Sequence, residues 1–69
     1  MKLSARNVLR GTIRSIEIGA VNAQVTLEVA PGVTIVSIIT AESVSRLKLA
    51  QGGAAYAVIK ASSVMVAVD

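Results

Sequence analysis

The stretch from residue 21 to residue 29 reads VNAQVTLEV, and its apolar and polar side chains alternate without a break. The apolar positions are Val21, Ala23, Val25, Leu27 and Val29. Because successive side chains of a strand point to opposite faces of a sheet, this period of two predicts a strand with one buried face and one exposed face. The pattern indicates a protein built from β-strands.

Strand patterns also dominate on either side of this stretch. Residues 8–18 predict a longer strand with a bulge near Ser15, where the alternation slips, and Gly19 marks the following turn. Ala30-Pro31-Gly32 predicts a hairpin turn. Residues 33–39, VTIVSII, are apolar on both faces, which indicates a strand covered by its own core on one side and by a neighbour on the other.

One short helix is predicted after these three strands, at residues 41–47. Thr40 is a suitable N-cap, because its hydroxyl can accept a hydrogen bond from a free N–H group of the first turn. Glu42 lies in the first turn and Arg46 in the last, where their charges favour the helix dipole.

Two further strands are predicted after the helix, at residues 54–60 and 64–68, joined by the segment 61–63. The order β-β-β-α-β-β predicts an all-β fold, a small five-stranded OB-like barrel with one short helix between strands 3 and 4. SH3-like barrels and other small β-folds fit this order nearly as well. The length of 69 residues predicts a single domain, residues 1–69.

The composition predicts a homo-oligomer. Hydrophobic residues make up 54% of the chain and the mean hydropathy is +0.71, which is more apolar side chain than so small an interior can hold. No run approaches the roughly 18 uncharged apolar residues of a membrane-spanning helix. The N-terminus lacks the apolar run of a signal peptide, because polar residues interrupt it at Arg6, Asn7 and Arg10. We therefore expect subunit interfaces and no membrane partner.

The charge and the rare residue types limit the possible functions. A net charge of +3 favours anionic partners. A nucleic-acid-binding OB-type module is the alternative, but Tyr56 is the one aromatic residue and the basic residues are scattered, so no nucleic-acid partner is expected. Without Cys or His, no metal site and no catalytic residues are predicted, and the chain is expected not to be an enzyme.

Three polar groups stand at predicted element boundaries. They are Ser4-Ala5-Arg6-Asn7, Thr40-Ala41-Glu42-Ser43 and Lys60-Ala61-Ser62-Ser63. Taken singly, they fit a polar terminus, an N-cap with its partner, and a turn, as a purely structural assembly unit would have. Together they offer hydroxyls, fixed cations and a helix N-terminus, which can replace the hydration shell of a tetrahedral oxyanion.

Four segments then carry a family resemblance. SARN at 4–7, GAVNAQVTLE at 19–28, ITAESV at 39–44 and VIKASSVMVAVD at 58–69 resemble the molbindins. These are small cytoplasmic molybdate-binding proteins with one Mop or TOBE-type domain. The resemblance implies reversible, non-catalytic binding of molybdate, with tungstate as its analogue, for storage or homeostasis in the cytoplasm. It also implies a hexamer, a trimer of dimers, with oxyanions bound between subunits.

The resemblance also implies which residues bind the anion. One departure is Ser63, since many relatives carry an acid there. A second oxyanion site is implied at Val21 and Asn22. The implied ligands of the first site, through side chains or backbone N–H groups, are Ser4, Ala5, Arg6, Thr40, Ser43, Lys60, Ala61 and Ser62.

Overall fold

The computed structural model describes all 69 residues and contains one antiparallel sheet with the strand order β3-β2-β1-β4. The sheet curls into a half-barrel with one short helix, which confirms the all-β prediction in this coarser form. The elements are β1 (Asn7–Ile18), β2 (Asn22–Ala30), β3 (Val33–Thr40), the helix α1 (Ala41–Arg46), β4 (Ala54–Ile59) and a 3₁₀ turn (Ala61–Ser63).

The long strand β1 joins the two halves of the sheet. Its first half pairs with β4, from Asn7 opposite Ile59 to Thr12 opposite Ala54. Its second half pairs with β2, and the register shifts between Ile13 and Ser15. This shift confirms the predicted bulge. Because a bulge bends its strand and increases the local twist, it lets one strand serve both partners and curls the sheet.

Two glycines occupy positions that a side chain would disturb. Gly32, in the predicted hairpin turn between β2 and β3, has φ +74°, a conformation that L residues rarely adopt. At Gly11, an added Cβ would lie 2.7 Å from the carbonyl oxygen of Glu28. The close approach of β1 to the end of β2 therefore depends on the absence of a side chain at Gly11.

The core is small and lies on the concave face of the sheet. Ala23, Val25 and Leu27 are buried there, as the alternation predicts. The prediction is wrong for Val21, which precedes β2 and is 71% exposed. Ile13 from β1 and Val44 from α1 pack against them. Only 6 of 69 residues are buried, so most apolar side chains of the protomer stay in contact with solvent.

The predicted fifth strand, residues 64–68, is wrong for the protomer, because this segment pairs with no strand of its own chain. Val64 is extended, with φ −91° and ψ 123°, while Met65 and Val66 are 93% and 89% exposed. A β-prone sequence becomes a strand only where a neighbour supplies ladder hydrogen bonds. No such neighbour exists within the chain, so the barrel is open and β3 and β4 are its edges.

The outer face of β3 is also uncovered. Val36 is 57% exposed and Ile38 is 61% exposed, while Ile35 and Ile39 turn toward the core. One face of β3 packs on the core, as predicted, but the protomer supplies no neighbour to cover the other face.

None of the helices has the length and apolar character needed to cross a membrane.

Candidate functional site

The strand register brings two of the three polar groups together. Ser4, Ala5 and Arg6 immediately precede β1, and Lys60 immediately follows β4. Because Asn7 opposite Ile59 is the last pair of this antiparallel ladder, the chain enters β1 beside the point where it leaves β4. We call this the Arg6–Lys60 end of the sheet, defined by residues 4–6 and 60–62.

The polar side chains at this end are free to meet a ligand. Ser4, Arg6, Lys60 and Ser62 are exposed, and none of them makes a side-chain hydrogen bond within the chain. Neither cation has an acidic partner, because the one salt bridge of the structure lies elsewhere. Two unpaired positive charges and two hydroxyls therefore stand at one end of one sheet.

The 3₁₀ turn after Lys60 adds backbone donors. The N–H of Ser63 donates to the carbonyl oxygen of Lys60 at 2.9 Å, and the N–H of Val64 donates to that of Ala61 at 3.3 Å. The N–H groups of Ala61 and Ser62 come before the first of these bonds. They have no partner inside the turn and remain available as donors.

One side chain spans the two segments. Asn7 Nδ2 donates a hydrogen bond of 3.3 Å to the carbonyl oxygen of Ile59, across 52 positions of sequence. Asn7 belongs to the SARN motif, but the sequence singles out only its three predecessors as ligands. The only sign of this contact in the sequence is an amide side chain where β1 begins. The hydrogen-bond partner of that amide depends on the register between β1 and β4, which the sequence does not reveal.

The third polar group forms a helix cap. Thr40 Oγ1 accepts a hydrogen bond of 3.0 Å from the N–H of Ser43 and donates one of 2.7 Å to Ser43 Oγ. The predicted N-cap is therefore confirmed. The hydroxyl proton of Thr40 is used in its hydrogen bond to Ser43. Of the two hydroxyl groups, only that of Ser43 therefore still has a proton to donate to a ligand.

Thr40 and Ser43 do not lie at the Arg6–Lys60 end. Thr40 pairs with Asn22, and the N–H of Ala41 donates to the carbonyl oxygen of Val21 at 2.7 Å. Asn22 and Val21 stand where β1 ends and β2 begins, at the opposite end of β1 from Asn7. Within one chain, the helix start thus belongs with the residues of the predicted second site. The single cradle predicted from all three polar groups is not assembled in the protomer.

We call this second group, Val21, Asn22, Thr40 and Ser43, the Thr40 end of the sheet. A shallow depression of about 370 Å³ lies beside it. Asn22 and Gln24 contribute amide groups to it, but Glu17 adds a carboxylate. A carboxylate has no hydrogen-bond donor to spare for an oxyanion, and its negative charge repels one. This depression, which neither Thr40 nor Ser43 lines, is thus electrostatically less suited to an anion than the Arg6–Lys60 end.

The one ion pair of the protomer is remote from both ends. Arg14 Nη2 donates to Glu28 Oε1 across the β1–β2 ladder. This hydrogen bond lowers the pKa of the Glu28 carboxyl, and the positive charge of Arg14 lowers it further. The same hydrogen bond raises the pKa of the Arg14 guanidinium. Of the 7 Lys and Arg residues, only Arg14 is neutralised by a neighbour.

The donor set at the Arg6–Lys60 end suits an anion. Hydroxyls, backbone N–H groups, a guanidinium and an ammonium all present hydrogens, and charge-assisted bonds from Arg and Lys to oxyanions are the strong ones. No group of three or more His, Cys, Asp or Glu residues gathers anywhere in the structure.

The sequence model of the TOBE domain matches residues 3–66. The chain belongs to the TOBE domain family. Within this family it is of the molbindin (Mop) type, as the resemblance predicted. A probable molybdenum-pterin-binding protein of Haemophilus influenzae is 48% identical over 69 residues, which is 100% of both chains.

Solved structures of this TOBE type share the fold. MopII from Clostridium pasteurianum superposes with a TM-score of 0.90 at 40% identity, over 97% of this chain and 100% of MopII. The cytoplasmic molybdate-binding protein ModG, solved with molybdate bound, superposes with a TM-score of 0.84 at 54% identity. That match covers 88% of this chain and 43% of the ModG chain, so this chain spans less than half the length of ModG.

Proposed function

We propose that the chain binds molybdate reversibly at its Arg6–Lys60 end and catalyses no reaction. The observation that carries this proposal is the pairing of Asn7 with Ile59, which sets Ser4–Arg6 beside Lys60–Ser62 with both cations unpaired. The binding functions of relatives that match the chain over most of its length support the choice of anion. The domain unit is residues 1–69, and its place of action is the cytoplasm.

Binding works by replacing water. A doubly charged tetrahedral oxyanion loses its hydration shell on entering the site, and each of its oxygens then needs hydrogen-bond donors. Arg6 and Lys60 supply charge-assisted bonds, while Ser4, Ser62 and the free N–H groups of the turn supply neutral ones. No carboxylate of the chain pairs with either cation, so the full positive charge is available to the anion.

This donor set also predicts selectivity. Tungstate has the same charge and nearly the same size as molybdate, so it binds similarly. Sulfate is smaller, and a fixed ring of donors leaves longer hydrogen bonds around it, which weaken steeply with distance and angle. Phosphate is partly protonated at neutral pH and needs an acceptor that this set of donors lacks.

The complete site needs a second copy of the chain. Ser4, Arg6 and residues 60–62 are exposed, so this end of the sheet can cover only one side of an anion. The other donors of the predicted cradle, at Thr40 and Ser43, lie at the opposite end of β1. We propose that a neighbouring protomer supplies its Thr40 end, in a hexamer built as a trimer of dimers that stores or buffers molybdate.

The open half-barrel supports such an assembly. A groove of about 400 Å³ on its concave side is lined almost entirely by apolar residues, Val25, Leu27 and Ile39 among them. The exposed segment 64–68, VMVAV, is apolar and uncharged, and it has no place in its own sheet. A strand added from one protomer to the open barrel of another buries both surfaces.

Isothermal titration of the purified protein tests the function. Molybdate and tungstate are expected to bind with similar affinity, and sulfate and phosphate much more weakly. Comparable binding of sulfate contradicts the size argument. Binding of a labelled oligonucleotide at moderate salt, with no uptake of molybdate, favours a nucleic-acid-binding module instead, and no binding of either leaves a structural assembly unit.

A further inference from the structure

We infer that Asn7 is a positioning residue, which holds the Lys60–Ser62 segment in place beside Ser4–Arg6. The inference rests on the proposed function, because it assigns a task within the proposed site. Asn7 itself touches no ligand in this account. Its side chain acts on the anion only through the backbone that carries Lys60 and the turn.

The hydrogen bond of Asn7 has a particular target. Its acceptor, the carbonyl oxygen of Ile59 at 3.3 Å, belongs to the peptide unit that continues into the nitrogen of Lys60. Because a peptide unit is planar, fixing its oxygen also fixes the direction in which the chain leaves toward Lys60. The donor is partly buried, so water competes with it less than with an exposed side chain.

No other side-chain hydrogen bond ties the Lys60–Ser62 segment to β1. The ladder between β1 and β4 ends at the pair Asn7 and Ile59. The hydrogen bonds of the 3₁₀ turn, from Ser63 and Val64, are internal to the turn and its flanks. Among the side-chain hydrogen bonds, the others are the cross-strand pair Arg14–Glu28 and the local cap of α1.

Holding this segment has a consequence for affinity. If the turn is free to swing, its donors must be ordered when the anion binds, and that entropy is subtracted from the binding free energy. A fixed peptide unit before Lys60 removes part of this cost in the free protein. Asn7 therefore preorganises the Lys60–Ser62 half of the site relative to the Ser4–Arg6 half, which ends one residue before Asn7.

The test compares Asn7→Leu and Asn7→Ala with the wild type and with Thr12→Val. Thr12 stands at the other end of the same β1–β4 ladder and makes no side-chain hydrogen bond, so it is the matched control. Titration with sodium molybdate is expected to give a Kd about threefold to tenfold higher in both Asn7 variants. Thr12→Val is expected to bind as the wild type does.

Amide relaxation and hydrogen exchange of the ligand-free proteins give the second measurement. We expect the amides of Ala61, Ser62 and Ser63 to become more mobile in the Asn7 variants, while Leu9 and Ala57 inside the ladder do not change. Unchanged mobility at 61–63, or equal loosening of the whole sheet, overturns the inference. Because this measurement needs no ligand, it decides on Asn7 even if wild-type protein takes up no molybdate, a result that contradicts only the proposed function.

Discussion

At the scale of single residues, the proposed binding of molybdate depends most on Arg6 and Lys60. Each is an exposed cation without an acidic partner, and a hydrogen bond between charged groups contributes about 1.5–3 kcal/mol. We therefore expect Arg6→Ala and Lys60→Ala each to weaken molybdate binding by about 1.5–3 kcal/mol in isothermal titration. Arg46→Ala removes the same charge from the end of α1 and is expected to have little effect. Unchanged affinity in both site variants removes these residues from the site.

The neutral donor Ser4 is expected to contribute less. Its hydroxyl is exposed and unbonded in the free chain, and a neutral hydrogen bond contributes about 0.5–1.5 kcal/mol. Ser4→Ala should weaken binding by that amount, which is a smaller loss than for either cation. A loss as large as that of Arg6→Ala contradicts this ranking of charged over neutral donors.

A pH effect on stability is expected from Arg14 and Glu28. The hydrogen bond and charge of Arg14 lower the pKa of the Glu28 carboxyl below its ordinary value of 4.5. The pair therefore stabilises the fold above that value, and its contribution is lost as the pH falls through the lowered pKa. The Arg14 side chain is 54% exposed and that of Glu28 is 28% exposed, so solvent screens the pair and the effect is small.

Thermal melts measure this effect. Arg14→Gln is expected to lower the melting temperature relative to wild type at pH 7, and the difference is expected to shrink as the pH is lowered below 4.5. Arg10→Gln, on the same strand without an acidic partner, is the control and should show no such pH dependence. A difference between Arg14→Gln and wild type that persists undiminished at pH 3 assigns the effect to something other than the Glu28 carboxylate.

At the scale of secondary-structure elements, the helix cap offers a test. Thr40 Oγ1 accepts from the N–H of Ser43, and loss of such an N-cap costs about 1 kcal/mol. Thr40→Ala should therefore lower the free energy of urea unfolding by about 1 kcal/mol. Thr34→Ala, at an exposed position of β3, is the control for the change of side chain within that strand. Equal losses in both variants argue against a cap.

Elements that follow local rules could be predicted from the sequence. The alternation around Val25 gave the central strand with its buried face, and the slipped alternation near Ser15 located the bulge. Elements that depend on distant partners could not. Residues 64–68 have the composition of a strand, but strand formation needs an edge, and the sequence does not state which chain supplies it.

The candidate site divides in the same way. Motif and family resemblance pointed to Arg6 and Lys60, and their closeness then followed from the strand register. The separation of Thr40 from them also follows from register, which local patterns do not contain. The reach of Asn7 to the carbonyl oxygen of Ile59 spans 52 positions and could only be found in the structure.

At the scale of the whole molecule, the exposed apolar surface predicts assembly. Only 6 of 69 residues are buried in a chain that is 54% hydrophobic. We expect light scattering after size-exclusion chromatography to show a hexamer. Val66→Asp places a charge in the exposed segment 64–68 and should shift the distribution toward smaller species, because burying an unpaired carboxylate is costly.

Gln51→Asp adds the same charge in the exposed turn before β4 and is the control for the assembly experiment. It should elute as the wild type does. Wild-type protein that is monomeric at all concentrations contradicts the assembly. A Val66→Asp variant with unchanged mass shows that residues 64–68 are not part of the interface.

Anomalous diffraction from crystals grown with tungstate locates the bound anion, since tungsten scatters strongly and stands in for molybdenum. We expect a strong peak whose surrounding oxygens lie within hydrogen-bond distance of the Arg6 guanidinium and the Lys60 ammonium, with Ser43 of a neighbouring protomer on the opposite side. Tungstate bound only elsewhere, with no peak beside Arg6 and Lys60, would show that these two residues do not form the oxyanion site.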